Sequence, residues 1–261
     1  MRNIVIQALA VTVSIIAFGA PAAAQLVPHR AVYQLSLNDS QGSVVDANGL
    51  LAMEWRDACD GWVSNQQLMF VASTDGGRSF DMDVRFTSWE SDDNTKLRFT
   101  TQTFSGGRLL EKYEGHALLD RPGGSGRALY SLPNKVELDL PQGTVFPTEH
   151  VRRLLNSARS GQFLASHQVF DGAGPASDAL NLVTAFIGQR AVAERDSVTD
   201  SRQWPMSLAY FQKSDDALPS FEVTFDLGDN GVMRALSLDY GDFVLGAALE
   251  QLTMLEQPAG C

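Results

Sequence analysis

Apolar and polar residues alternate with a period of two over much of the chain. Such alternation places apolar side chains on one face of a β-strand and polar side chains on the other. Strands with one dry face and one wet face are typical of antiparallel sheets. The alternation predicts six strands, over residues 33–38, 80–86, 97–100, 136–140, 221–227 and 236–240.

Turn residues separate these strands at the spacing of hairpins. Gly, Asn and Asp tolerate the positive φ that tight hairpins require. They are concentrated in residues 75–77, 92–94, 105–107 and 228–231. Because strands and turns follow one another at short spacing from about Ala31 to Asp120, this part of the chain is predicted to form an antiparallel meander.

One segment carries the period of an α-helix. Thr148 is the expected N-cap after Pro147, Glu149 supplies an acid to the first turn, and Gly161 is the expected end. Apolar residues recur at helical spacing at Val151, Leu154, Leu155 and Ala158.

Three arginines lie off this apolar stripe and give the helix a basic polar face: Arg152, Arg153 and Arg159. Such a face on an acidic protein has two interpretations. The helix either packs against one end or side of a sheet, or presents a docking face to an acidic partner or an anionic ligand. We therefore carry the three arginines as candidate partner-binding residues.

The rest of the chain adds strands and no second domain. Residues 178–193 fit either a strand or a short helix, and residues from Trp204 to Leu255 return to strands. No stretch rich in Pro, Gly or Ser separates two units. Because all-β folds of about 200–250 residues are often single domains, we expect one mainly β domain over residues 25–261.

The N-terminus has the pattern of a secretory signal peptide. Arg2 precedes an apolar run from Ile4 to Phe18, and small residues end at Ala24. An N-terminal membrane anchor is the alternative, but the run is shorter than the ~20 apolar residues of a spanning helix. Residues 1–24 are therefore predicted to be cleaved, leaving a periplasmic protein without a transmembrane segment.

Charge and composition limit the classes of partner that the protein is expected to bind. The formal net charge of −11 lacks the basic footprint of a nucleic-acid binder, and it opposes binding to anionic membrane surfaces. Hydrophobic residues make up 44% of the chain, enough for a sizeable core. A monomer is the default expectation.

The two cysteines, Cys59 and Cys261, both follow the predicted signal peptide. In an oxidising compartment two cysteines most often pair with each other. An intermolecular bridge and a redox pair are the alternatives, although no C-x-x-C spacing supports the latter. A structural disulfide would join the C-terminus to the first third of the chain.

No sequence motif assigns catalytic, metal or cofactor chemistry. The histidines form neither H-E-x-x-H nor H-x-H, and neither G-x-S-x-G nor S-x-x-K occurs. We therefore predict no catalytic residue, no metal and no cofactor. The four histidines are His29, His116, His150 and His167.

The aromatic residues leave one functional question open. Four Trp and 14 Phe either fill the interior of a rolled sheet or line an apolar cavity within it. A half-barrel with an amphipathic helix across its mouth would be suited to a lipid or an acyl chain, since apolar pockets bind apolar ligands with little polar chemistry.

A set of segments in a fixed order resembles the EipB-like family of bacterial envelope-integrity proteins. A Cys close to the C-terminus completes the set. The segments are Cys59–Trp62 after a strand, Leu140–His150 before the helix, and Val169–Gly172 after it.

This resemblance implies a β-spiral, a single curled antiparallel sheet or half-barrel, with one amphipathic helix and few short helices. It implies a disulfide between Cys59 and Cys261 and a role in maintaining the cell envelope, and it supplies no catalytic residues. The leading hypothesis is a non-enzymatic periplasmic protein that binds a lipid-like ligand or an envelope partner protein. The alternative is a hydrolase acting on an envelope polymer, with its site around His150 or His167.

Overall fold

A computed structural model describes residues 26–192, 202–213 and 215–258. These residues contain sixteen strands and one helix, α1, over Pro147–Arg159. The strands are β1 His29–Ser40, β2 Val44–Asp57, β3 Gly61–Thr74, β4 Ser79–Ser91, β5 Lys96–Ser105, β6 Arg108–Leu119, β7 Gly126–Leu132, β8 Val136–Leu140, β9 Thr144–Val145, β10 Leu164–Phe170, β11 Leu180–Ile187, β12 Ala191–Val192, β13 Arg202–Phe211, β14 Phe221–Gly228, β15 Met233–Asp239 and β16 Phe243–Met254.

All of these strands belong to one sheet. Its order is β8-β7-β6-β5-β4-β3-β2-β1-β16-β15-β14-β13-β11-β10-β9, and β12 pairs with β13. Neighbours are antiparallel except β9 and β10, which are parallel. The two end strands, β8 and β9, are separated in the chain only by residues 141–143. The sheet therefore curls until its ends meet at a single turn.

The mainly β prediction is confirmed. Five of the six predicted strands lie within strands of the sheet, the sixth, over residues 236–240, ends one residue earlier at Asp239, and the meander from β1 to β6 is present. Within residues 178–193, for which strand and helix were both open, the described residues form the strand β11 and the short strand β12. Asn94 and Gly77 adopt positive φ at 54° and 72° in the predicted hairpin turns. The single domain over residues 25–261 stays a prediction, because it includes residues outside the described ranges.

The core lies inside the curl, where the inward-facing residues of the strands meet α1. The larger cluster joins Tyr33 and Leu245 of the sheet to Leu154 and Leu155 of the helix. A smaller cluster packs aromatic rings under β5 and β7, with the rings of Phe99 and Tyr130 5.0 Å apart. Burial of this apolar face, worth about 25 cal/mol per Å², is what holds the curl closed.

The helix begins two residues earlier than its sequence pattern indicated. Phe146 is the N-cap, with extended backbone and no capping side chain, and Pro147 occupies the first turn. The expectation that Thr148 is the N-cap is therefore wrong, because Thr148 already lies within the helix and is buried. Gly161 follows the last turn with φ +75°, as expected of a helix end.

A carboxylate from the sheet takes the place of the missing cap. Glu90 of β4, 2% exposed, accepts the backbone N–H of Thr148 at 2.7 Å and that of Glu149 at 3.0 Å. These are two of the four N–H groups that a helix leaves without an internal partner. Burial raises the pKa of Glu90 to about 7, against the lowering effect of the two N–H groups. This contact fixes the start of α1 against β4.

Replacement of Glu90 by Ala should destabilise the fold. The N–H groups of Thr148 and Glu149 would remain buried without acceptors, which costs about 1–3 kcal/mol. Urea unfolding followed by circular dichroism measures the loss. Glu137→Ala, at a half-exposed surface carboxylate, is the control and should change the free energy of unfolding by less than about 0.5 kcal/mol. Equal, small changes in both variants would contradict the capping role.

Candidate functional site: an apolar cavity under the helix

A cavity of about 440 Å³ lies between α1 and the inner face of the sheet. Strands β2, β3 and β4 line one side, strands β13, β14 and β15 line the other, and α1 contributes Val151 and Leu154. Most of the lining is apolar. The volume falls within the range of roughly 300–1,000 Å³ that is usual for small-molecule pockets.

Two rows of cross-strand neighbours supply the apolar walls. In the first row, Leu51 pairs with Leu68, which pairs with Val84. In the second row, Leu208 pairs with Val223, which pairs with Leu238. Because side chains alternate along a strand, directly paired residues on neighbouring strands point to the same face. The curl turns that face inward, so both rows line the cavity.

One end of the cavity is closed. Leu154 of the helix is 1% exposed, and His29 and Trp55 at the same end are 3% and 8% exposed. The Trp55 ring stands edge-on to Trp62 at 6.4 Å and to His29 at 6.2 Å. The helix and these rings together exclude solvent from that end.

The other end opens through an aromatic rim. Ala173 and Tyr240 are exposed and also line the cavity, so the opening lies beside them. Phe221 lies between Tyr210 and Tyr240, with ring centroids 5.6 and 5.2 Å away. The rim therefore consists of three neighbouring aromatic rings, those of Tyr210, Phe221 and Tyr240.

A single carboxylate, that of Asp171, lies at this end of the cavity without a cationic partner in the described part of the chain. Its Oδ1 accepts the backbone N–H of Ala173 at 2.9 Å. Burial raises the pKa of Asp171 to about 6, and Asp171 contributes, after burial, to raising the pKa of Tyr210. At neutral pH the group is therefore an anion in a mostly apolar pocket.

Gly172 holds Asp171 in this position. Its φ is +69°, in the left-handed region that favours glycine. A Cβ on Gly172 would lie 2.3 Å from the ring of Phe99. The carbonyl oxygen of Gly172 accepts a hydrogen bond from the hydroxyl of Thr101 at 3.2 Å. The turn after β10 is thereby pressed onto the small aromatic cluster, which leaves the preceding carboxylate facing the cavity.

Two of the four histidines meet at the helix. His150, 5% exposed, lines the cavity, and its ring centroid is 5.3 Å from that of His167. Burial, followed by His167 and Arg153, lowers the pKa of His150 to about 3. Among the described residues, neither imidazole hydrogen-bonds to a Ser or a carboxylate. The hydrolase prediction around these two histidines remains untested.

The three candidate partner-binding arginines all hold contacts within the protein. Arg152 donates to Asn94 Oδ1 at 3.1 Å, Arg153 pairs with Glu149 at 2.8 Å, and Arg159 pairs with Asp229. These contacts tie α1 to two hairpins of the sheet and to its own first turn. The partner-binding face stays a prediction.

The cysteines cannot be compared as a pair. Cys59 lies on the turn between β2 and β3, with φ +67°, and Cys261 lies outside the described residues, as do residues 1–24. The described residues bring together no cluster of three or more metal-ligating side chains. The single helix they contain is too short and too polar to cross a membrane.

Three residues of the site escaped sequence analysis: Glu90, Asp171 and Tyr240. Glu90 and Tyr240 have the sequence pattern of ordinary strand residues. Nothing in the neighbouring sequence indicates that Glu90 caps a helix or that Tyr240 borders the opening of the cavity. Asp171 lay within the segment Val169–Gly172 that carried the family resemblance, but its chemistry depends on the pocket around it.

The contribution of His150 to the stability of the protein should fall as the pH decreases from 7 to 5. The unfolded chain binds a proton at His150 below about pH 6.5, whereas the folded state stays neutral down to about pH 3. The difference amounts to about 2 kcal/mol between pH 7 and pH 5. Urea unfolding at both pH values gives the change in the free energy of unfolding from pH 7 to pH 5, and this change should be more favourable in His150→Phe than in the unchanged protein by this amount. His116→Phe, at an exposed position, should follow the unchanged protein; identical pH dependence in all three proteins would disprove the assignment.

Comparison with known proteins agrees with this architecture. The model of the EipB-like family matches residues 20–256. The cell envelope integrity protein EipB of Brucella abortus (strain 2308) is 30% identical over 253 residues, which are 92% of this chain and 88% of that protein. The crystal structure of a β-barrel-like protein of a domain of unknown function from Brucella abortus matches with a TM-score of 0.82 at 30% identity, covering 90% of this chain and all of that one. The chain therefore belongs to the EipB-like family.

Proposed function

We propose that this protein supports the integrity of the cell envelope from the periplasm, without catalysis, by holding a lipid-like ligand in the cavity under α1. The relative named for cell envelope integrity supports the first part of the proposal. The observation that carries the second part is the pair of apolar rows that face a cavity of about 440 Å³.

The physical driving force for such binding is the removal of apolar surface from water, at about 25 cal/mol per Å². The rows from Leu51 to Val84 and from Leu208 to Leu238 present aliphatic side chains to the cavity. A flexible acyl chain is complementary to these walls. The aromatic rim at Tyr240 provides the route by which it enters.

A non-catalytic role fits the histidines that the structure describes. His150 is neutral at physiological pH because burial lowers its pKa to about 3. Its neighbour is a second imidazole, and a catalytic base is usually oriented by a carboxylate or activates a hydroxyl. This is why we place the chemistry of the cavity in binding.

Filling the cavity should abolish ligand binding. Leu68→Trp introduces bulk into the first apolar row, whereas Val71→Trp adds the same side chain to the outer face of the same strand, where Val71 is 47% exposed. Native mass spectrometry of protein purified from the periplasm, followed by extraction into organic solvent, should recover acyl species from the unchanged protein and from Val71→Trp only. Thermal unfolding checks that both variants fold. Recovery of no acyl species from any of the three proteins would count against the proposal.

The exported state includes a proposed disulfide between Cys59 and Cys261. The ends of β2 and β16 support it, since Met254 pairs with His29 and His29 pairs with Trp55. Neighbouring strands lie about 4.8 Å apart, so both chain segments that lead to the cysteines leave the sheet from the same end.

Loss of either cysteine should therefore have the same consequence. Cys59→Ser and Cys261→Ser should lower the free energy of unfolding equally, by about 2–5 kcal/mol, and the double variant should be no worse than either single variant. Intact mass of the secreted protein should equal that of residues 25–261 less two hydrogens. Additive losses, or two free thiols, would show that the cysteines act separately.

A further inference from the structure

The polar end of the cavity has a composition that a purely apolar ligand would not need. Asp171 lines the cavity beside Ala173, which is exposed. The other carboxylate of the lining, Glu54, is paired with Arg30 and Arg56. Asp171 has no such pair among the residues that the structure describes. It is therefore the uncompensated charge of the pocket.

An unpaired carboxylate in a pocket is costly, because burial removes its hydration without replacing it. The cost is offset where a bound cation supplies the missing charge. A second anion there would add repulsion to desolvation. The charge at Asp171 therefore favours one class of ligand head group and disfavours another.

The rings beside Asp171 favour the same class. Tyr210, Phe221 and Tyr240 form a continuous series in the lining, with successive centroids 5.6 and 5.2 Å apart. The negative face of an aromatic ring attracts a cation, and several rings with a carboxylate are suited to a quaternary ammonium group. Aromatic faces also tolerate the methyl groups that such an ammonium carries.

The two ends of the cavity thus differ in chemistry. The closed end, under Leu154 and between the two rows of aliphatic side chains, offers mainly apolar surface for an acyl chain. The open end offers Asp171 and the aromatic rim. A ligand that satisfies both ends has a chain that enters first and a cationic head that remains at the opening.

We propose that the cavity selects amphiphiles with a cationic head group, with Asp171 as the counter-charge and the rings of Tyr210, Phe221 and Tyr240 as the surface that holds the head. This inference rests on the proposed function and adds the chemical class of the ligand to it.

The test compares amphiphiles that share one chain and differ in the head. Isothermal titration calorimetry at pH 7.5, below the micelle concentration, would measure binding of dodecyltrimethylammonium and of dodecanoate to the mature protein. The unchanged protein should bind the cation at least tenfold more tightly. Asp171→Asn should weaken binding of the cation about tenfold and should not weaken binding of dodecanoate.

Asp171→Asn is chosen because the amide oxygen can still accept the N–H of Ala173, so the turn keeps its hydrogen bond. Asp178→Asn is the matched control, since Asp178 is an exposed carboxylate in the same connection between β10 and β11. It should leave both affinities unchanged. Circular dichroism and thermal unfolding establish that the two variants are folded.

The outcomes separate the two proposals. Tight binding of both amphiphiles, with equal affinity and no effect of Asp171→Asn, would overturn the head-group inference and leave ligand binding in place. Equal weakening by Asp171→Asn and Asp178→Asn would show a general effect of net charge and would also overturn it. Failure of both amphiphiles to bind the folded protein would overturn the proposed function itself, and the head-group inference with it.

Discussion

The buried carboxylate of Glu90 determines where the helix lies, and the position of the helix determines whether the curled sheet encloses a cavity. Two backbone N–H groups at the start of α1 find their acceptors on β4, far away in the sequence. Unsatisfied N–H groups at a buried helix end would cost free energy wherever else the helix packed. The helix therefore has one favourable seat, across one end of the interior, with Leu154 and Leu155 directed into the core.

The helix can take this position because the two ends of the sheet meet beside its first turn. The end strands β8 and β9 are joined by residues 141–143, and α1 starts directly after β9 at Pro147. The chain therefore runs from the meander that ends in β8, through residues 141–143 and β9, into α1 without a long connection. The arginines of the polar helix face then contact hairpins of the sheet, as Arg159 does with Asp229. Basic residues on an acidic protein here serve to fasten the helix.

The enclosed space has a gradient of polarity. At the helix end, the apolar rows and buried rings surround the cavity, and burial keeps His150 neutral. At the open end, Asp171 remains an anion at neutral pH beside aromatic faces. The pocket is mostly apolar at one end and charged at the other, and this is why we propose as its ligand an amphiphile, whose own polarity varies in the same direction.

Six strands with their hairpins, one amphipathic helix and the order of segments that resembles the EipB-like family all follow from local sequence patterns. These features depend on the alternation of apolar and polar residues, on turn residues and on helical spacing. Such patterns act over a few residues and can therefore be recognised in the sequence. Three other features follow only from the packing of the whole chain: which strands meet, that Glu90 and not Thr148 caps the helix, and that Asp171 and Tyr240 lie at one opening. Each of these pairs residues from distant strands, and a residue such as Glu90 in an alternating strand gives no local sign of its partner. The curl of the sheet brings those residues together. The curl is set by the summed burial of many side chains, so no single segment of the sequence predicts it.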